Sequence, residues 1–465
     1  METCCTTRAI SEALVKKYNV PVPRYTSYPT VPFWGEQRPA QEDWQAVLQQ
    51  TFQASNGQEG ISLYVHLPFC ESLCTYCGCN KRITRNHAVE PVYLKAVLQE
   101  WSKYKALLPQ KPVIREIHLG GGTPTFFTPQ NLQFLMKGLL EGAEVHPQHE
   151  FSFEGHPNNT TAEHMQALYE VGFRRVSYGV QDLSEKVQKA INRLQPLENL
   201  VRATEQARAI GYTSVNYDLI YGLPFQTRES IIDTFQQVIG LRPDRIAYYS
   251  YAHVPWKEKS QRAYSEADLP SDAEKLALYQ TGHALLLEAG YEDIGMDHFA
   301  FPEEEMCVAQ REGRLHRNFM GYTTNSTQFM IGLGVSAISD LYRGYTQNVK
   351  TVEEYYALLA MGEWPMLKGI LLSDLDVHMR RHILDIACNG STNWQNSPAL
   401  PIIQERVLPQ LKDLAADGLL HLTEHALKLT APGKRFLRSA CAAFDLYLAE
   451  AQLARSGKPM FSKAV

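Results

Sequence analysis

Ile61-Ser62-Leu63-Tyr64-Val65-His66-Leu67-Pro68-Phe69 runs without a break into Cys70-Glu71-Ser72-Leu73-Cys74-Thr75-Tyr76-Cys77-Gly78-Cys79. The first nine residues have the length and apolar character of a buried strand. The next ten hold four of the chain's nine cysteines. A Cys-x3-Cys-x2-Cys spacing puts three thiolates on one short loop, close enough to share an inorganic cluster or a metal, and leaves one coordination position unfilled.

Outward from this stretch the same unit repeats. Strand-like runs at 113–119, 150–154, 174–179, 214–221 and 245–251 alternate with helix-like stretches near 91–108, 129–141, 161–171, 196–210 and 228–240. Six such strands separated by amphipathic helices predict successive βαβ units and a parallel sheet, curled by right-handed crossovers into an open or closed barrel. The fold class is α/β, with a partial (β/α)6 core over residues 56–300, an extension over 1–55 covering the active site, and a mainly helical C-terminal domain over 301–465. Within the last, Val407, Leu408, Leu411 and Leu414 make one apolar helix face, and Asp417-Gly418 leads into a hairpin over 419–429, a winged-helix-like order. The segment from Met296 through Thr323-Thr324 and Gly332-Leu333-Gly334 to Ile338 reads as loop, rich in polar and aromatic residues.

Polar and glycine-rich residues fall at the carboxyl ends of all six strands. The cysteines follow the first, Gly120-Gly121-Gly122-Thr123-Pro124 the second, and Glu154-Gly155-His156-Pro157 end the third. Gly179-Val180-Gln181-Asp182, Asp218 to Pro224, and Tyr251-Ala252-His253 close the rest. This is the face on which α/β barrels build active sites.

Composition narrows the function classes. A net charge of −5 gives no footprint for nucleic acid or an anionic membrane, and no apolar run approaches the length of a spanning helix. The N-terminus lacks a signal peptide's apolar core, so a cytoplasmic location is expected. In a reducing compartment clustered cysteines bind metal or do chemistry. Cys307, Cys388 and Cys441 read as small buried apolar residues; Cys4 and Cys5 are terminal.

Three cysteines at this spacing suit an iron–sulfur cluster with one iron left open. A structural zinc site is the competing reading, although such sites favour paired Cys-x2-Cys units. Cys79 stands one residue from Cys77, too close for comfortable shared chelation, and is read as a separate residue facing the active site.

Cys70-x3-Cys74-x2-Cys77 with Tyr76 before the last cysteine resembles the signature of the radical S-adenosylmethionine enzymes, and Gly120 to Pro124 is similar to their glycine motif. Further stretches resemble the oxygen-independent coproporphyrinogen III oxidase (dehydrogenase) family from about residue 20 onward. They are Arg24 to Thr30, Tyr64 to Cys70, Cys77-Gly78-Cys79-Asn80, Asp218 to Pro224, Met296 to Ala300, and His316 to Thr324.

The resemblance implies a [4Fe-4S] cluster on Cys70, Cys74 and Cys77 and two molecules of S-adenosylmethionine. Tyr64, Gly121, Glu154 and Ile338 would contact the one on the cluster, and Tyr76, Gly122, Thr123, Gln181, Arg193, Asp218 and Ala252 the second. Cys79 would serve catalysis. It further implies conversion of coproporphyrinogen III to protoporphyrinogen IX in porphyrin and haem biosynthesis, an electron donor such as flavodoxin or ferredoxin, and a monomer. A haem chaperone, and an anaerobic haem-degrading methyltransferase of the same superfamily, are the alternatives. Glu154-Gly155-His156-Pro157 departs from the family's usual Glu-Val-Asp-Pro, and Tyr76 replaces a usual phenylalanine. Arg24, Tyr25 and Tyr28 stand as candidates either for gripping substrate carboxylates or for pinning the N-terminal segment to the domain.

The ligand assignment predicts that Cys74→Ser abolishes the brown absorbance of the reconstituted protein; an unchanged spectrum refutes it.

Overall fold

The computed structural model describes residues 12–454 and Phe461; Cys4 and Cys5 lie outside the described residues. Six strands pair side by side in chain order and in parallel: β1 (Ile61–Leu67), β2 (Val113–Gly121), β3 (Glu144–Gly155), β4 (Phe173–Gln181), β5 (Ser214–Tyr221) and β6 (Arg245–Ser250). Strand β1 is buried along almost its whole length, as a strand covered on both faces must be.

The crossovers are helices with local start and stop signals. They are α1 (Val89–Leu107), α2 (Pro129–Leu140), α3 (Ala162–Glu170), α4 (Leu197–Ile210) and α5 (Arg228–Leu241). Thr161 and Thr227 close capping boxes on α3 and α5, satisfying backbone donors that have no partner within the helix. Gly211 ends α4 at a φ of 111°, a conformation a side chain would strain.

The sheet extends past the six strands on both sides. Beyond β6 come β8 (His298–Ala300) and β7 (Glu292–Gly295), both antiparallel; α6 (Asp272–Glu288) leads into them. Beyond β1 comes β9 (Met330–Leu333), parallel to it, then β10 (Ile338–Asp340), β11 (Gly344–Asn348) and β12 (Met366–Leu371). The twelve-stranded sheet is open, with β12 and β7 at its ends. The loop expected from Met296 to Ile338 is therefore corrected: it holds β8, the helix Glu305–Arg311, the hairpin of His316–Asn318 with Gly321–Thr323, and β9 joined by a tight turn to β10. Gly332 lets the two strands close up, since a Cβ there would lie 2.3 Å from the Ile338 carbonyl oxygen. The division anticipated at residue 300 does not coincide with a break in the sheet, and the helical layer begins only at α7 (Asp374–Asn389).

That layer has the helix, hairpin and helix order of a winged helix. Helix α8 (Leu408–Ala416) precedes strands Leu420–Leu422 and Ala426–Leu429, which pair antiparallel, with Ser391–Asn393 alongside. Val407, Leu411 and Leu414 are buried, while Leu408 is only half-buried.

Two apolar cores result. The larger lies between sheet and crossover helices and takes Trp44, Leu48 and Phe52 from the N-terminal helix Gln41–Ser55. The second joins the C-terminal layer to Tyr25 and Tyr28. Cys307, Cys388 and Cys441 are buried. Among the described residues no helix is long and apolar enough to cross a membrane.

A buried ion pair fastens the helical layer to the sheet. Arg380 of α7 donates to both carboxylate oxygens of Asp340 at 3.0 and 2.6 Å, with each side chain 8% exposed. Removing one partner strands the other charge in a low dielectric. Asp340→Ala is expected to destabilise the protein by about 3–5 kcal/mol, read as a lowered urea midpoint; an unchanged midpoint refutes the role.

Candidate active site

The carboxyl ends of the parallel strands open into one cavity of about 620 Å³. Cys70, Cys74, Cys77, Cys79, Tyr76, Gly121, Gly122, Thr123, Glu154, Gln181, Arg193 and Asp218 all line it. Twelve positions singled out from sequence thus converge on one space.

The frame around the cysteines is set by backbone hydrogen bonds. Gly122 N–H donates to Leu67 O at 2.8 Å and Thr123 N–H to Phe69 O at 3.0 Å, which presses the glycine turn onto the strand entering the cysteine loop. The far side is held by Thr84 N–H to Cys70 O at 2.9 Å and Thr75 N–H to Ile191 O at 3.0 Å. Only glycine fits the turn: at Gly121, where φ is 112°, a Cβ would lie 2.7 Å from the His66 ring, and at Gly122 one would lie 2.6 Å from the Pro68 carbonyl.

The thiols carry the marks of an anionic ligand set. Thr123 Oγ1 donates to Cys70 Sγ at 3.3 Å, and Arg193 Nη1 points at Cys74 Sγ at 3.7 Å. Lys81 Nζ donates to the carbonyls of Cys77 and Cys79 at 2.8 and 3.3 Å, bringing a positive charge to the loop. The Cys79 thiol donates toward Cys77, holding the Cys77 thiol down at about 6, while burial pushes Cys70 up to about 11. Hydrogen bonds and cations aimed at sulfur favour thiolate, the form that binds metal. Among the described residues no three His, Cys, Asp or Glu side chains converge tightly enough for a single metal ion. Half-buried cysteines spaced around a common cavity instead suit a larger group with several metal atoms. Cys79 is exposed within the cavity.

Two carboxylates face each other across the site with opposite tendencies. Burial acts to raise Glu154, but the His118 ring at 3.5 Å and the Gly121 N–H at 3.2 Å outweigh it and hold the group below the usual carboxylate range. Asp218 is pushed up to about 6 by burial and by the charge of Glu154, even though Ser177 and Asn216 donate to it at 2.9 and 3.0 Å. Such a pair can receive an ammonium at one end and a hydroxyl at the other. Arg193 anchors the middle: its Nη2 donates to Gly179 O at 2.6 Å, and its buried Nε has no partner, leaving a donor for a ligand.

Three expected residues lie off the lining. Tyr64 sits behind it, stacked on His118 at 6.0 Å and hydrogen-bonded to His66 at 3.1 Å. The Ala252 carbonyl accepts from Gln261 at 3.2 Å, the side chain that also donates to the Tyr76 carbonyl. Ile338 packs in the Trp34 cluster beside β9. His156, the departing residue, does line the cavity, and burial, then the charge of Arg193, keep its imidazole neutral.

Sequence reasoning missed His66, His118, Lys81 and Tyr249. The signal for the two histidines was strand alternation, which puts Tyr64 and His66 on the same face of β1, with His118 beside Tyr64 in the adjoining strand. Below the cavity the barrel interior is polar, with a second space of about 120 Å³ reaching Glu116, Arg175, Arg245 and His298. Its two arginines are paired, Arg175 with Glu150 and Arg245 with Glu304.

A three-thiol loop on a partial parallel barrel, above a glycine cradle and paired carboxylates, defines the class: residues 64–238 match the Radical SAM superfamily. The chain is 41% identical to oxygen-independent coproporphyrinogen III oxidase of Escherichia coli K12, covering 94% of this chain and 95% of that one. It is 36% identical to that of Synechocystis over the full length of both. The solved structure of the Escherichia coli coproporphyrinogen III oxidase, itself a radical SAM enzyme, superposes at a TM-score of 0.85 with 38% identity, covering 94% of this chain and 99% of that one. This chain belongs to the oxygen-independent coproporphyrinogen III oxidase family. Its cofactors are a [4Fe-4S] cluster and S-adenosylmethionine, and the donor set described above fits both.

Asp218 gives a pH test. Its folded value near 6 means it gains charge as pH rises through that point, so a ligand that hydrogen-bonds the carboxylate binds more tightly above pH 6 and more weakly below. S-adenosylmethionine affinity is expected to fall several-fold from pH 7 to pH 5, and Asp218→Asn to flatten that dependence in calorimetric titration. A slope unchanged in the variant refutes the assignment.

Proposed function

We propose that this protein oxidatively decarboxylates two propionate side chains of coproporphyrinogen III to vinyl groups, giving protoporphyrinogen IX in oxygen-independent haem biosynthesis. One observation carries the reading: the likeness to coproporphyrinogen III oxidases runs through nearly the whole chain, including the three-thiol loop and both carboxylates that line the cavity.

Cys70, Cys74 and Cys77, which line the cavity, would hold the cluster beside the S-adenosylmethionine site. When bound, these groups would supply radical chemistry able to remove a hydrogen atom from a propionate β-carbon, the carboxyl leaving as carbon dioxide and the remaining electron passing to an external electron acceptor.

The chain's own residues bind and orient. Glu154, ionised and held by Gly121 and His118, receives the ammonium of the first S-adenosylmethionine, with Tyr64 and Gly121 framing it. Asp218 takes a hydroxyl of the second, and Arg193 turns its free Nε toward that molecule, beside Tyr76, Gly122, Thr123 and Gln181. Ala252 and Ile338 contribute from the rim rather than the lining. Cys79, exposed in the cavity, faces the reacting region. Helices packed on the outside of the sheet keep bulk water from the mouth's walls, which protects a reactive intermediate.

The electron donor is a small redox protein such as flavodoxin or ferredoxin, the protein works in the cytoplasm, and it acts as a monomer. The described part of residues 1–55 forms the extension over the active site, 56–300 the catalytic core, to which strands β9–β12 of the following segment add, and the helical C-terminal domain begins at α7.

The test is anaerobic. The reconstituted protein with S-adenosylmethionine, a reductant, an electron acceptor and coproporphyrinogen III should yield 5′-deoxyadenosine, carbon dioxide and a divinyl product. Full cluster occupancy without decarboxylation, together with stable haem binding, would overturn the reading in favour of a chaperone.

A further inference from the structure

Several buried charges lie outside the set that lines the cavity described above. At the carboxyl ends of β5 and β6 stands a group of arginines around Asp297. Arg24 Nη1 donates to Asp297 Oδ2 at 2.9 Å, and its guanidinium lies over the Tyr249 ring at 5.6 Å. Arg317 is 5% exposed and lies over the Tyr322 ring at 4.7 Å; among the described residues its Nε and Nη1 are buried without a partner, and Nη2 donates to the Arg24 carbonyl at 3.5 Å. Arg435 lies over the Tyr279 ring at 4.6 Å, again with a buried Nε that has no partner. Arg24 and Arg435 both act on Tyr221, and Arg24 and Arg317 both act on Tyr249, so the three charges share one neighbourhood.

The group is short of anions. Asp297 pairs with Arg24, and Asp293 is taken by His283 at 3.1 Å. His298 adds no charge, since burial and then Arg317 hold it neutral. Arg438 donates to the Val22 and Pro23 carbonyls and holds the entering segment. The deeper Arg175 and Arg245 each keep one buried N–H without a partner as well, but each has a carboxylate of its own. A buried guanidinium with unmet donors is costly unless an anion completes it, and a carboxylate matches its fork. The backbone here is also strained, with positive φ at Tyr25, Met296 and Asp297, as at sites that hold ligands.

We propose that Arg24, Arg317 and Arg435 bind propionate carboxylates of the substrate that are not reacting. This rests on the function proposed above. The substrate carries four propionates and only two react, so the others need a fixed anchor. Tyr249, under Arg24, is itself part of the active-site lining. Carboxylates held here place the macrocycle across the mouth, with a further propionate reaching toward the glycine cradle.

The experiment titrates coproporphyrin III, the fluorescent oxidised porphyrin that cannot react, into the anaerobic holoenzyme. Arg317→Gln and Arg435→Gln are each expected to weaken binding about tenfold or more, with S-adenosylmethionine affinity and cluster absorbance unchanged. Arg317→Lys and Arg435→Lys should restore most of the affinity, which separates lost charge from lost folding. The tetramethyl ester of coproporphyrin should bind wild type and variants equally weakly. Wild-type affinity in both glutamine variants with the cluster intact, or tight binding of the ester, overturns the proposal. A wild-type enzyme that binds the porphyrin through these arginines yet does not decarboxylate would instead overturn the function and leave the site standing.

Discussion

Two backbone hydrogen bonds, from Gly122 to Leu67 and from Thr123 to Phe69, fix the distance between the glycine turn and the strand that delivers the cysteines. They form only because β1 and β2 are in parallel register to their last residues, with Leu67 opposite Gly121. A shift of one residue would reverse which side chains face the lumen. Cys70 would then no longer lie beside the Thr123 hydroxyl, and Glu154 would lose the Gly121 amide. The position of every group in the cavity traces back to this register.

Given that frame, the electrostatics of the site are a consequence of burial. The chain is slightly acidic in total, yet its charges are sorted by depth. In the interior Arg175 and Arg245 are paired with glutamates, and Glu100 and Glu116 are held by hydroxyl, amide and backbone donors instead. At the mouth Glu154 is held ionised and Asp218 is pushed toward protonation, so two like residues offer different hydrogen-bonding faces. Around Asp297 cations outnumber anions. A global net charge conceals this sorting, since opposite surpluses a few ångströms apart cancel in the sum.

What was legible in the sequence follows from the same physics. The six parallel strands carry enough apolar residues to be recognised, even though polar side chains such as Ser177 and Asn216 alternate with them toward the interior, and their helices carry caps with side-chain chemistry, as at Thr161 and Thr227. The cavity residues were legible because they follow those strands directly. Strands β9 to β12 were not, because Gly332 and Gly334 read as loop. Each is instead a close approach: a Cβ at Gly334 would lie 2.4 Å from the Tyr93 hydroxyl. No local pattern announces that Tyr93 of α1 will be there. The division at residue 300 failed to mark a break for the same reason, since the sheet resumes through pairing partners more than 200 residues apart.

The N-terminal segment carries the last step. Tyr25 and Tyr28 are buried in the C-terminal core, and the Tyr25 hydroxyl donates to Asp445 at 3.1 Å; these two pin the chain, while Arg24 between them and the barrel turns to Asp297. Sequence alone left all three open to either task, because an arginine beside a tyrosine suits both. The structure separates them by what they face: Tyr25 and Tyr28 are spent on the C-terminal core, while the Arg24 guanidinium turns toward Asp297 and the Tyr249 ring of the cavity lining. A segment that is fastened on one side of a residue and charged at that residue is a rigid way to deliver a cation. Rigidity matters here because an anchor for a carboxylate fixes the distance to a hydrogen abstracted elsewhere on the same macrocycle, and positional error in the anchor becomes positional error at the reacting carbon.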